Sequence, residues 1–135
     1  MSQIKSLNRV IRNKIEQGNY YQKLLKEYND ILITPPEKLN GSKNHYWVFG
    51  ILLKNKGIRA NVMNEMYKNG IETRPFFWPL HLQPSLPEEF KRDNYDLKVS
   101  EDIGANGFYI PLGNHINKKT QQKIVSEMVK IIKDH

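Results

Sequence analysis

Apolar residues recur at helical spacing towards both ends of the chain and crowd at strand density in its middle. Between residues 3 and 29, Ile4, Leu7, Ile11 and Ile15 return every three or four positions, a single stripe that predicts a helix. Leu24, Leu25 and Tyr28 continue the stripe beyond Gly18-Asn19, two poor helix formers at which the helix is expected to kink or divide. Pro35-Pro36 ends the region, and Asn40-Gly41-Ser42 marks a turn. His45 to Leu53, dense in aromatic and branched residues, is the strongest strand signal. After a second turn at Asn55-Lys56-Gly57, Arg59 to Asn69 reads as a short helix with Val62, Met63, Met66 and Tyr67 towards the core. Gly70 stands where a left-handed helix cap belongs, and Ile71 to Phe77 is a second strand.

Residues 85–100 are polar and carry no clear period, although Pro87 to Lys91 could form a helical turn. Ser100 to Asn106 predicts a short helix, and Gly107 to Gly113 a brief third strand. Asn117 then caps a last helix whose buried stripe is Ile124, Met128, Ile131 and Ile132. Three strands cannot cover both of their own faces, so helices must pack on at least one; the class is α+β.

Composition narrows this picture. With 135 residues, the chain fits one domain able to bury a real core. The absence of cysteine removes disulfides, thiol nucleophiles and cysteine metal sites together. No apolar run reaches membrane-spanning length and the first residues do not resemble a signal peptide, so a cytoplasmic protein without a membrane partner is expected. The net charge of +7 permits an anionic partner. Its lysines, however, are scattered over the polar sides of the expected helices, which favours a solvated surface over a nucleic-acid patch.

The candidate chemistry concentrates between Arg74 and Pro84. Those residues include three prolines, three aromatics, an arginine and a histidine. Prolines in one register cannot occupy a sheet interior, yet the segment is too apolar for a solvated linker. A rigid loop that receives something follows. Arg74 either pairs with a carboxylate such as Glu72 or forks onto a phosphate or carboxylate ligand. By alternation, at least one of Phe76, Phe77 and Trp78 belongs in the core; the others can stack on a flat ligand or on another subunit. The four histidines show no metal-ligand spacing, so no metal site is expected. His45 begins a strand and reads as structural, His115 as a surface turn residue, and His135 as a loose terminus; His81 alone sits inside the rigid loop. No phosphate loop, nucleophile elbow or kinase signature occurs, and no catalytic residue is assigned.

NGIETRPFFWPLHLQP (69–84) resembles the carboxy-terminal lobe of the DegT family of pyridoxal-phosphate (PLP)-dependent nucleotide-sugar aminotransferases, perosamine-synthase-like members above all. QIKSLNRVIRNKIEQGNYYQKLL (3–25), HYWVFGILL (45–53), IRANVMNEMYKNGIETR (58–74) and ANGFYIPLGNHINKKTQQKIVSEMVKII (105–132) are similar to that lobe's opening helix, first strand, following helix and strand, and closing strand and helix. The resemblance implies a small three-stranded, largely antiparallel sheet covered by helices, like the C-terminal domain of a fold type I aminotransferase. It implies one domain over residues 1–135, with a long helix at 3–29 and a sheet-and-helix body at 44–133. It also implies a nucleotide-linked keto-sugar as substrate, with Arg74, Phe76, Phe77, His81 and Gln83 in the pocket wall, and a homodimer in the full enzyme. The family's PLP lysine and cofactor aspartate belong to a large domain that this sequence does not match, so no cofactor-binding residue is assigned and no bound PLP is expected on this chain alone. The alternative reading is a non-catalytic basic binding or association module.

Overall fold

The computed structural model describes residues 2–87 and 97–135. Four helices, α1 (Ser2–Leu25), α2 (Arg59–Lys68), α3 (Lys98–Asn106) and α4 (Lys118–Lys133), accompany six short strands. These are β1 (Leu32–Ile33), β2 (Lys38–Leu39), β3 (Ser42–Lys43), β4 (Phe49–Leu53), β5 (Arg74–Pro75) and β6 (Gly107–Ile110). The main sheet has four strands in the order β1-β4-β6-β5, antiparallel throughout, and β2 and β3 form a separate hairpin. The α+β class therefore holds, but the three-stranded expectation does not. Leu32-Ile33 adds an edge to β4, and Asn40-Gly41, both at positive φ, closes the small hairpin. The expected helical turn from Pro87 to Lys91 lies outside the described residues, apart from Pro87.

Register sorts the side chains between two faces. Phe49 opposes Ile110 and Ile51 opposes Phe108, so these four share one face, and all are buried. α1, α2 and α4 cover that face, contributing Tyr21, Leu25, Val62, Met66, Ile124 and Met128 to the core. Ile124, Met128, Ile131 and Ile132 are buried as their spacing required, and the Asn117 side chain accepts from the Thr120 amide at 2.9 Å to start α4. Tyr67 departs from expectation: it points outward beside the buried Met66, because Val62 and Met66 already define the inward stripe of α2. Gly70, at φ 74°, ends α2 as anticipated, its amide donating to Tyr67 O and that of Ile71 to Met66 O.

Gly18-Asn19 neither kinks nor divides α1, which runs unbroken to Leu25 before a short 3-10 turn at Lys26–Tyr28. The glycine has a different purpose. A Cβ at residue 18 would overlap the ring of Tyr46, so Gly18 is the flat spot on which that buried ring rests. Tyr46 itself has φ 49°, and its amide donates to Asn44 Oδ1 at 2.8 Å. This left-handed residue shortens the expected strand: β4 begins at Phe49, and His45 lies before it as an exposed residue, not at a strand start. His135 is tied down, its Nε2 lying 3.0 Å from Glu65 Oε1.

Candidate functional site

The opposite face of the sheet seats the Arg74–Pro84 loop. Gly50 in β4 and Gly107 in β6 both present bare backbone there, and the Phe76 ring lies across the two. The Phe76 amide donates to Gly107 O at 3.0 Å, and the ring meets Tyr109 edge-on at a centroid separation of 5.9 Å. Pro79 is buried against Gly104 of α3. The strand expected from Ile71 to Phe77 contracts to Arg74–Pro75 on the sheet edge, since proline cannot donate to a ladder.

Beyond this anchor the loop is fixed by its own polar groups. Leu80 to Leu82 form a 3-10 turn. Trp78 Nε1 donates to Leu82 O at 3.1 Å, and Gln83 Nε2 donates to Trp78 O at 3.1 Å. His81 Nε2 lies 3.0 Å from Glu101 Oε1, joining the loop to α3. Phe77 projects outward and stacks on Trp47, with centroids 6.2 Å apart and planes 7° from parallel. Lys14 Nζ donates to Trp47 O at 2.7 Å, so α1 helps hold this platform in place.

The residues singled out by sequence thus divide. Phe76 is the internal anchor and Phe77 the exposed face; His81 is half-buried and orientable, while Gln83 braces the loop. Arg74 is exposed and pairs with Glu72 at 2.6 Å, the plainer of its two readings, yet it also lines a neighbouring groove of about 610 Å³. Trp47, Tyr109, His115 and Lys123 line that groove too, whereas Phe76, Phe77, His81 and Gln83 do not. Trp47 and Glu101 were missed by sequence reasoning. Glu101 carried no signal, because its partner is twenty positions away.

A second polar cluster braces α3. Lys56 Nζ donates to both Asp102 oxygens at 2.6 and 2.7 Å, Asn106 Nδ2 donates to Asp102 Oδ1, and the Gly57 amide donates to Asn106 Oδ1. The Lys56 hydrogen bond, followed by that from Asn106, holds the Asp102 carboxyl below its ordinary range. A depressed folded-state pKa stabilises the fold above the unfolded value and loses that contribution as pH falls through the folded one. Asp102→Asn is therefore expected to lower stability slightly at neutral pH. The gap from wild type should close as pH falls below 3.8, as read by thermal unfolding across pH.

PLP chemistry requires a lysine held against the cofactor and an acid facing its pyridine nitrogen. The residues present do not fit that requirement. Every described lysine except Lys14 is exposed, and the Lys14 ammonium is bonded to the Trp47 carbonyl. The described buried polar side chains are Asn106 and Gln121, of which Gln121 donates to Gln17 O. Among the described residues no histidine and carboxylate group could hold a metal, and no helix is long and apolar enough to cross a membrane. No step of group transfer is assigned to these side chains.

A lobe that presents a rigid aromatic loop, without a cofactor cradle of its own, matches one known class. Residues 1–129 match the DegT/DnrJ/EryC1/StrS aminotransferase family, and the chain belongs to it. Among curated relatives, the GDP-perosamine synthase of Escherichia coli O157:H7 is 25% identical over 111 residues, covering 82% of this chain and 28% of the relative. Helicobacter pylori PseC, an aminotransferase involved in the biosynthesis of pseudoaminic acid, shares the fold with a TM-score of 0.84 at 19% identity, over 99% of this chain and 36% of that one. The Bacillus subtilis protein NtdA, solved with bound cofactor PMP, superposes with a TM-score of 0.81 at 18% identity, over 96% of this chain and 30% of that one. The chain thus spans about a third of the length of the proteins it matches.

Proposed function

We propose that this chain is the C-terminal small lobe of a PLP-dependent aminotransferase that acts on a nucleotide-linked keto-sugar. One observation carries the reading: the Arg74–Pro84 loop is fully braced from behind, by Phe76 over Gly50 and Gly107 and by Pro79 on Gly104, while Phe77, Trp78 and Leu80 face outward. A preorganised wall of this kind lowers the ordering cost of binding a substrate. It orients a sugar and excludes water from one side of the pocket.

In this reading Arg74, Phe76, Phe77, His81 and Gln83 belong to the substrate wall. Phe77 supplies the contact surface and His81 a hydrogen-bonding edge, while Phe76 and Gln83 keep both in place. The large domain supplies PLP, its lysine and the acid at the pyridine nitrogen; when bound, PLP carries the amino group between donor and sugar. The match to only about a third of each relative supports a missing partner domain, and the outward aromatic residues support a covered surface. A homodimer of the complete enzyme and a cytoplasmic location accompany this reading.

The test is direct. The isolated chain, incubated with PLP and reduced with borohydride, should yield no pyridoxyl-lysine by mass spectrometry and no transamination. Addition of a PLP-binding large domain of the family should restore turnover of a keto-sugar nucleotide. A trapped lysine adduct together with turnover on this chain alone would overturn the assignment.

A further inference from the structure

We infer that the groove between the Gly70–Arg74 segment and α4 binds the nucleoside diphosphate half of the substrate, with Trp47 as its stacking surface. The inference rests on the aminotransferase reading but concerns residues outside the loop. At about 610 Å³, the groove lies within the range of small-molecule sites. Ile71, Ile110, Ile116 and Ile124 give it an apolar floor, and all four are buried. Arg74 and Lys123 are cations on its lining, while Glu72 is the only carboxylate there.

Trp47 is prepared for stacking. It is 70% exposed, yet one flank is backed by Phe77 and its backbone is held by Lys14. An exposed indole fixed in this way offers a flat face to any base with little ordering on binding. A neutral ligand would leave Arg74 and Lys123 unmatched, and a bare phosphate would leave the indole and the apolar floor uncovered. A base joined to a diphosphate satisfies both. Arg74 already contacts Glu72 at 2.6 Å, so the carboxylate competes with an incoming anion for the guanidinium. Neutralising Glu72 should therefore tighten binding, a sign that a purely structural ion pair does not produce.

The experiment uses the chain itself. It has two tryptophans, so Trp78→Phe leaves Trp47 as the sole indole reporter. Titration with GDP or UDP should quench Trp47 fluorescence saturably, with matching heat in calorimetry and weaker binding at high salt. Inorganic pyrophosphate, which lacks a base, should bind at least about tenfold more weakly. Arg74→Ala should weaken GDP binding about tenfold, and Glu72→Gln should strengthen it. Circular dichroism should be unchanged, because these side chains are exposed. Absence of saturable quenching and heat at low salt would overturn the inference, as would pyrophosphate binding as tightly as GDP. Either result leaves the lobe assignment standing, since that depends on turnover with a large domain. Conversely, nucleotide binding without restored turnover would sink the assignment and retain the groove.

Discussion

Gly50→Ala should lower stability by about 2 kcal/mol, and most of that loss should vanish when Phe76 is first cut back to alanine. The reason is geometric. A Cβ on residue 50 would collide with the Phe76 ring and with nothing else within contact distance. Gly107→Ala should cost at least as much but recover only partly in the Phe76→Ala background. There the new Cβ also falls 2.5 Å from the Ile103 carbonyl oxygen, which is helix backbone and cannot swing away. Urea unfolding of the four single and double variants beside Phe76→Ala and wild type measures both couplings. If Gly50→Ala costs the same with and without the ring, Phe76 does not rest on Gly50, and the account of how the loop is seated fails.

The second large effect is expected at His81. In an enzyme reassembled with a PLP-binding large domain, His81→Ala should reduce kcat/KM by about 10- to 100-fold, the scale of one lost hydrogen bond to a charged or strongly polar group. Glu101→Gln should cost less. It keeps an acceptor near the imidazole but removes the carboxylate that now sits 3.0 Å from Nε2. His115→Ala, on the exposed turn before α4 and outside the loop, should have a smaller effect than His81→Ala. Thermal unfolding separates a binding defect from a folding one, because a positioning loss leaves the melting temperature near that of wild type. Equal and negligible effects at both histidines would remove His81 from the substrate wall.

The helices were legible because their stripes follow the 3.6-residue period, and α4 shows this most cleanly. Its capping Asn117 and all four expected core residues are where periodicity puts them. What escaped was short or set by distant partners. β1 has two residues, and the β2–β3 hairpin is exposed and polar, so neither carries an alternation to read. Strand alternation alone would place Trp47 on the same side as Phe49, Ile51 and Leu53. The left-handed Tyr46 reverses this by turning its own ring into the core and leaving Trp47 outside. The loop announced itself through its prolines and aromatics. Its seat did not: Gly50, Gly104 and Gly107 have no chemistry of their own, and their role exists only once the chain is folded.

The unbroken α1 helix has a mechanical meaning. Its second half is clamped: Gln17 Nε2 donates to Gly113 O and Ile116 O, and Tyr21 Oη donates to Pro111 O. The first half carries Ile4 and Leu7 outward, exposed along one line. At 1.5 Å per residue, Ile4 stands about 20 Å from the Gln17 clamp. A tilt of only about 5° at the clamp displaces that end by roughly 2 Å, comparable to the difference between a made and a broken contact. Whatever grips Ile4 and Leu7 therefore holds a long lever on the substrate loop, and slight rotations of the body become readable steps at its far end.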